Sequence, residues 1–230
     1  MQENDPKRWP RFAAVKPRNP VAELLKSPER WPAVIRYFLY PPATQTRQTV
    51  FFFRAGLWLI VLYLTVTVFW NGADAGIVNF LHNLNLPIHE TGHIVFGIFG
   101  SALIKSMGGT LFQIIMPLVC FGALFIKTRD LFGSSLALWW TFENFIDIAP
   151  YIGDARAGEL PLIGGNYGSD APYGFHDWNF ILNELHVLEY DTQISHAALA
   201  IGYAGMTLCL LWGLWTLIYV KVFQKDELSI

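Results

Sequence analysis

Charge is scarce in this sequence. Asp, Glu, Lys and Arg make up 15% of the 230 residues, against 53% hydrophobic residues, and mean hydropathy is +0.34. That balance excludes an ordinary soluble domain. Cysteine is nearly absent too. Cys120 and Cys209 both lie in apolar runs, which excludes a disulfide framework or a zinc knuckle and reads as two buried small hydrophobes. No basic–aromatic pattern points to nucleic acid. The first 49 residues lack an apolar h-region, so no cleavable signal peptide is expected. Nor is there an internal repeat.

What the chain has instead is apolar runs. Val50–Trp70, Ala75–Ile104, Thr110–Ile126, Leu131–Ile148 and Ala197–Val220 are each near the ~20 residues needed to cross a bilayer. The expected fold is therefore all-α, a polytopic integral membrane helix bundle with about five apolar segments (four to six) and the lipid bilayer as a partner. Gly108-Gly109 reads as a break, and Pro87 as a kink or a helix restart. Residues 1–49 form a basic arm, holding nine Lys/Arg against four Asp/Glu, which argues for a cytoplasmic N-terminus. Within the arm, Ser27-Pro28-Glu29 resembles a helix start. Trp31, Val34, Ile35, Phe38 and Leu39 follow at amphipathic spacing, and Pro41-Pro42 ends the run. The second region, 50–230, is membrane-embedded and includes a Gly-rich, acidic loop over 155–195. A loop of that length tends to be functional.

The most informative stretch is Ile88-His89-Glu90-Thr91-Gly92-His93, an H-E-x-x-H motif inside an apolar run. Residues four apart share a helix face, so His89 and His93 can present two imidazoles to one metal ion. Glu90 lies about 100° around the helix, placed to reach a metal-bound water as general base. Zn²⁺ is the expected cofactor. An ionisable residue at membrane depth is costly and points to function. Pro87 breaks the register from His82, which is read as a non-ligand.

A catalytic zinc usually has three protein ligands and an open position. Asp154, Glu143, Asp147 and His176 are the candidates. Glu143 and Asp147 share a helix face and should look into the bundle. His176, beside Asp177, is placed to orient a ligand or donate to a transition state. His186 and His196 read as interface residues.

An H-E-x-x-H in one transmembrane helix, with Asn144, Pro150 and Asp154 downstream, resembles the site-2 protease family of intramembrane zinc metalloproteases. The resemblance covers roughly residues 75–156. Asn144 and Pro150 are six apart, Ala155 stands where the family has Gly, and no PDZ-like domain is present. The resemblance implies Asp154 as third ligand. It also implies a zinc metallopeptidase that hydrolyses peptide bonds in or near membrane segments of substrate proteins, with Asn144 or His176 as a neutral donor to the oxyanion. The competing assignments are a gluzincin-type membrane protease with Glu143 as third ligand and a non-catalytic metal-binding scaffold. A multi-pass protein of a bacterial inner membrane is the expected location. Five simple crossings would put Lys127 and Arg129 outside. A motif segment that re-enters would bring Lys127, Arg129, Lys221 and Lys225 inside and turn the acidic loop outward, as the positive-inside rule prefers.

Overall fold

The computed structural model describes residues 31–41, 48–72, 76–163 and 165–223. The chain divides into two units, Met1–Leu39 and Tyr40–Ile230. In the first, helix α1 spans Trp31–Leu39 and stops before the Pro41-Pro42 pair. The Ser27-Pro28-Glu29 start signal lies outside the described residues.

The described residues of the second unit form the helices α2 Gln48–Asn71, α3 Gly76–Gly97, α4 Ala102–Gly122, α5 Leu131–Gly153, α6 Asp177–Glu184 and α7 Asp191–Phe223. Its described residues contain no β-strand, and only an isolated bridge joins Pro161 to Tyr167. Among the described residues, three helical stretches are long and apolar enough to cross a membrane: Gln48–Trp70, Ala102–Thr128 and Leu188–Val222. The second includes a π-helical turn, Ala123–Thr128, that extends α4. The motif run and the Leu131 run form full helices without joining that set. Their imidazoles, amides and carboxyls dilute the apolar surface.

Helices α5 and α7 make the most extensive packing in the unit. Gly202 and Gly205 of α7 lie against Ile146 and Phe142, and Gly213 against Ser135 and Trp58. Small residues let helix backbones approach where lipid supplies no hydrophobic drive for association. Val68, Leu81, Trp139, Ile146, Met206 and Cys209 fill the adjoining core, so Cys209 is indeed a buried small hydrophobe. The indole N–H groups find partners there: Trp58 donates to the Leu210 carbonyl at 3.0 Å and Trp139 to Thr65 Oγ1 at 2.9 Å. Outward, α2 exposes Phe52, Phe53, Leu59 and Tyr63, and α3 exposes Ile94.

Two breaks expected from sequence are absent. Pro87 sits inside continuous α3. Gly108 and Gly109 sit inside α4, which begins at Ala102. The real break lies between them, where Gly100 takes a φ of +71° and Ser101 caps α4 by accepting from the Ile104 amide at 3.4 Å. The glycine pair has another purpose. A methyl on Gly92 would run into the Gly108 carbonyl, and one on Gly109 into the His89 ring. These glycines let α3 and α4 cross closely and leave room for an imidazole between them.

Candidate metal centre

With α3 unbroken, His82, Asn85, His89 and His93 fall at i, i+3, i+7 and i+11, one polar stripe down a helix face. The stripe faces α4, α5 and α6. His89 Nδ1 lies 3.0 Å from Gln113 Oε1 on α4. His93 Nδ1 lies 2.8 Å from the Lys105 carbonyl. Both acceptors are oxygens, so each Nδ1 donates, and each Nε2 is the atom left to face the neighbouring carboxylate. A metal-ligating histidine is usually tied in this way through its other nitrogen.

Both Nε2 atoms point at one carboxylate. Asp177 Oδ2 is 3.1 Å from His93 Nε2 and 3.4 Å from His89 Nε2. All three ligand atoms lie within 4.8 Å of one another. Ligands 2.0–2.2 Å from a tetrahedral zinc stand roughly 3.3–3.6 Å apart, so the spacing suits such an ion, slightly contracted. Burial pushes the Asp177 carboxyl up, but hydrogen bonds from His89 and His93 outweigh it and hold the group down at about 2. Asp177 is thus an anion, the form a metal needs. Two imidazoles and one carboxylate make three side-chain ligands, the number a catalytic rather than a structural zinc site takes from its protein.

The three residues line a cavity of about 820 Å³. Glu90, next to His89, lines it, as do Tyr151, Phe175 and Trp178. The walls are largely apolar, with a few convergent polar groups, as ligand sites commonly are.

The other residues singled out in the sequence are placed as follows. Asp154 does not reach the two imidazoles. It caps the turn after α5, accepting from the Glu159 amide at 2.8 Å and the Leu160 amide at 3.0 Å. The carboxylate that stands with the two imidazoles is Asp177, not Asp154. Lying right after α5, Asp154 meets free amides of its own turn first. His176 lines the cavity but is itself a fastener. Its Nδ1 accepts from the Asn179 amide at 3.2 Å and caps α6, and its Nε2 faces Asp154 at 3.4 Å. Asn179 also donates to the Ala155 carbonyl at 2.6 Å. Together these contacts seat α6 and aim Asp177. Arg156 pairs with Asp191 at 2.7 Å instead of with Asp154.

Glu143 is 1% exposed and accepts from Asn85 at 3.0 Å. It is held by Asn85 and is not among the groups that stand with the two imidazoles. Asn144 is buried and donates to the Trp140 carbonyl at 2.8 Å, so it does not face the cavity as an oxyanion donor. Asp147 accepts from Gln113 at 2.6 Å, from His82 at 2.9 Å and from Asn85 at 3.1 Å. His82 stacks on Tyr151 with ring centroids 5.6 Å apart. Sequence reasoning passed over Asp177, Gln113, Asn85 and His82. Only the His-Asp-Trp string at the head of a short helix hinted at the first.

No family model, curated protein or solved structure matches the chain.

Proposed function

We propose that the chain is a membrane-embedded zinc metallopeptidase with His89, His93 and Asp177 as ligands and Glu90 as general base. The observation that carries this reading is the pair of Nε2 atoms converging on the Asp177 carboxylate, with Glu90 lining the same cavity. Bound there, Zn²⁺ supplies a Lewis acid that lowers the pKa of a coordinated water towards ~7 and polarises a carbonyl. Glu90 takes a proton from the attacking water and returns it to the leaving amine nitrogen. Substrates are peptide segments of membrane proteins, which must unwind locally to expose a scissile bond, and non-helical backbone at depth needs a protein-lined cavity. The H-E-x-x-H motif keeps its likeness to the site-2 protease family under this reading, with the third ligand drawn from a different place in the chain.

The test is metal analysis and cleavage together. The purified full chain in detergent micelles is expected to carry about one zinc and to cleave a labelled transmembrane peptide or casein. A zinc chelator should stop cleavage, and added Zn²⁺ should restore it. A metal-free chain, or cleavage indifferent to the chelator, overturns the reading. Zinc without cleavage of either probe leaves the scaffold in its place.

The helix pairings support an orientation as well. Arg54 on α2 pairs with Asp130 at the head of α5 at 3.1 Å, and Trp58 bonds α7 near its C-terminal half. The start of α2, the end of α4, the start of α5 and the end of α7 therefore share one end of the bundle. Arg54, Lys127, Arg129 and Lys221 gather there, and the positive-inside rule puts that end in the cytoplasm. Helix α3 then begins and ends on the far side without adding a crossing. The 155–195 loop and the cavity face outward, and the membrane is taken as a bacterial inner membrane. A cysteine introduced at position 170 should react with an impermeant maleimide in intact cells. Labelling only after lysis reverses the orientation.

A further inference from the structure

The polar network behind His89 is more elaborate than holding one imidazole requires, and its donors and acceptors can be assigned in sequence. Trp140 Nε1 is a donor only, and it lies 2.9 Å from Asn85 Oδ1. Asn85 must then turn its NH₂ towards the acids. It reaches Glu143 Oε2 at 3.0 Å and Asp147 Oδ2 at 3.1 Å. The same Asp147 oxygen takes the Gln113 NH₂ at 2.6 Å, and its other oxygen faces His82 Nδ1 at 2.9 Å. Three donors thus converge on a carboxylate that is 5% exposed. Gln113 is 3% exposed and has spent its NH₂ on Asp147. It can present only Oε1 to His89, and only an Nδ1–H can answer.

We propose that Asp147 is a positioning residue of the metal centre, acting on His89 through the carboxamide of Gln113. It rests on the metal reading above and names what makes the site competent. A carboxamide can bind His89 in two ways, with its oxygen or with its NH₂. The oxygen leaves Nε2 bare for a metal. The NH₂ would require a bare Nδ1 and put the proton on Nε2, against the ion. Asp147 removes the second choice, because a carboxylate takes the NH₂ for itself. Direct carboxylate–histidine pairs serve metal sites in this way. Here an amide is interposed, which keeps the negative charge one residue further from the ion.

The substitution Asp147→Asn preserves shape and removes that constraint. The new amide at position 147 can donate to Gln113, whose own amide is then free to turn over. Zinc affinity of the full chain in detergent, read by competition with a chromogenic chelator, is expected to fall about 10–100-fold, the usual cost of losing an outer partner. The double change Gln113→Glu with Asp147→Asn exchanges the two groups. The amide at 147 donates to the carboxylate at 113, and the carboxylate accepts from His89 Nδ1–H. Most of the lost affinity should return, which general damage to packing would not allow. A second readout needs no substitution in the network. ¹⁵N-imidazole NMR of the metal-free chain, assigned with His89→Gln, should show the His89 proton on Nδ1. A double variant as weak as the single, or the proton on Nε2 in the unsubstituted chain, overturns the proposal. If the unsubstituted chain binds no zinc, the metal reading itself fails, while the His89 tautomer still decides whether Asp147 sets it.

Discussion

If the chain is the zinc peptidase proposed above, Glu90→Gln is expected to leave one zinc per chain in place and to lower the rate of peptide cleavage by about 10²–10⁴-fold, the usual worth of a positioned acid–base group. The expectation separates two functions that one short motif carries. His89 and His93 point to Asp177, whereas Glu90 is not one of that cluster and lines the same cavity. The amide of Gln keeps the size of the side chain and its hydrogen-bonding reach. It cannot take up a proton, so only proton transfer is lost. The measurement is zinc content by elemental analysis beside turnover of a labelled transmembrane peptide. Equal turnover in the two proteins would remove Glu90 as the base, and loss of zinc along with turnover would make it a ligand.

Asp177→Asn removes the only charged ligand, and it should weaken zinc binding beyond the ~10–100-fold typical of an outer partner. Asp154→Asn is the informative control. Its carboxylate serves the amides of Glu159 and Leu160, and an Asn oxygen can still accept from one of them. Zinc affinity should therefore fall much less at position 154 than at 177. Equilibrium competition on both variants decides between the two acids. A larger loss at position 154 would return the ligand role to Asp154 and undo the geometry described above.

The two halves of the site were unequally legible in the sequence. His89, Glu90 and His93 were readable because helical periodicity turns a spacing of four into a shared face. Asp177 was not, since it stands on another helix and reaches the histidines only through tertiary packing. Asp154 attracted attention because it follows α5 closely, and that position ties it to its own turn. Pro87 also misled. Reading it as a restart broke the register of the stripe and hid the kinship of His82 and Asn85 with the motif. Helices among other helices tolerate proline, and α3 runs unbroken through Pro87. Gly108-Gly109 read as a break for a similar reason. Glycine marks both a chain that bends and a chain that is closely approached, and only the neighbouring helix distinguishes them.

Because α3 supplies two of the three ligand atoms and α6 the third, an ion held by all of them is also a cross-link between a bundle helix and the acidic loop. Whatever free energy the ion gains from Asp177 is returned in full as docking free energy for α6. Such a link is reversible where a disulfide is not, and it would add to the contacts through which His176 and Asn179 already seat α6. Under the zinc reading, loading the ion would therefore stiffen the loop that walls its own chamber.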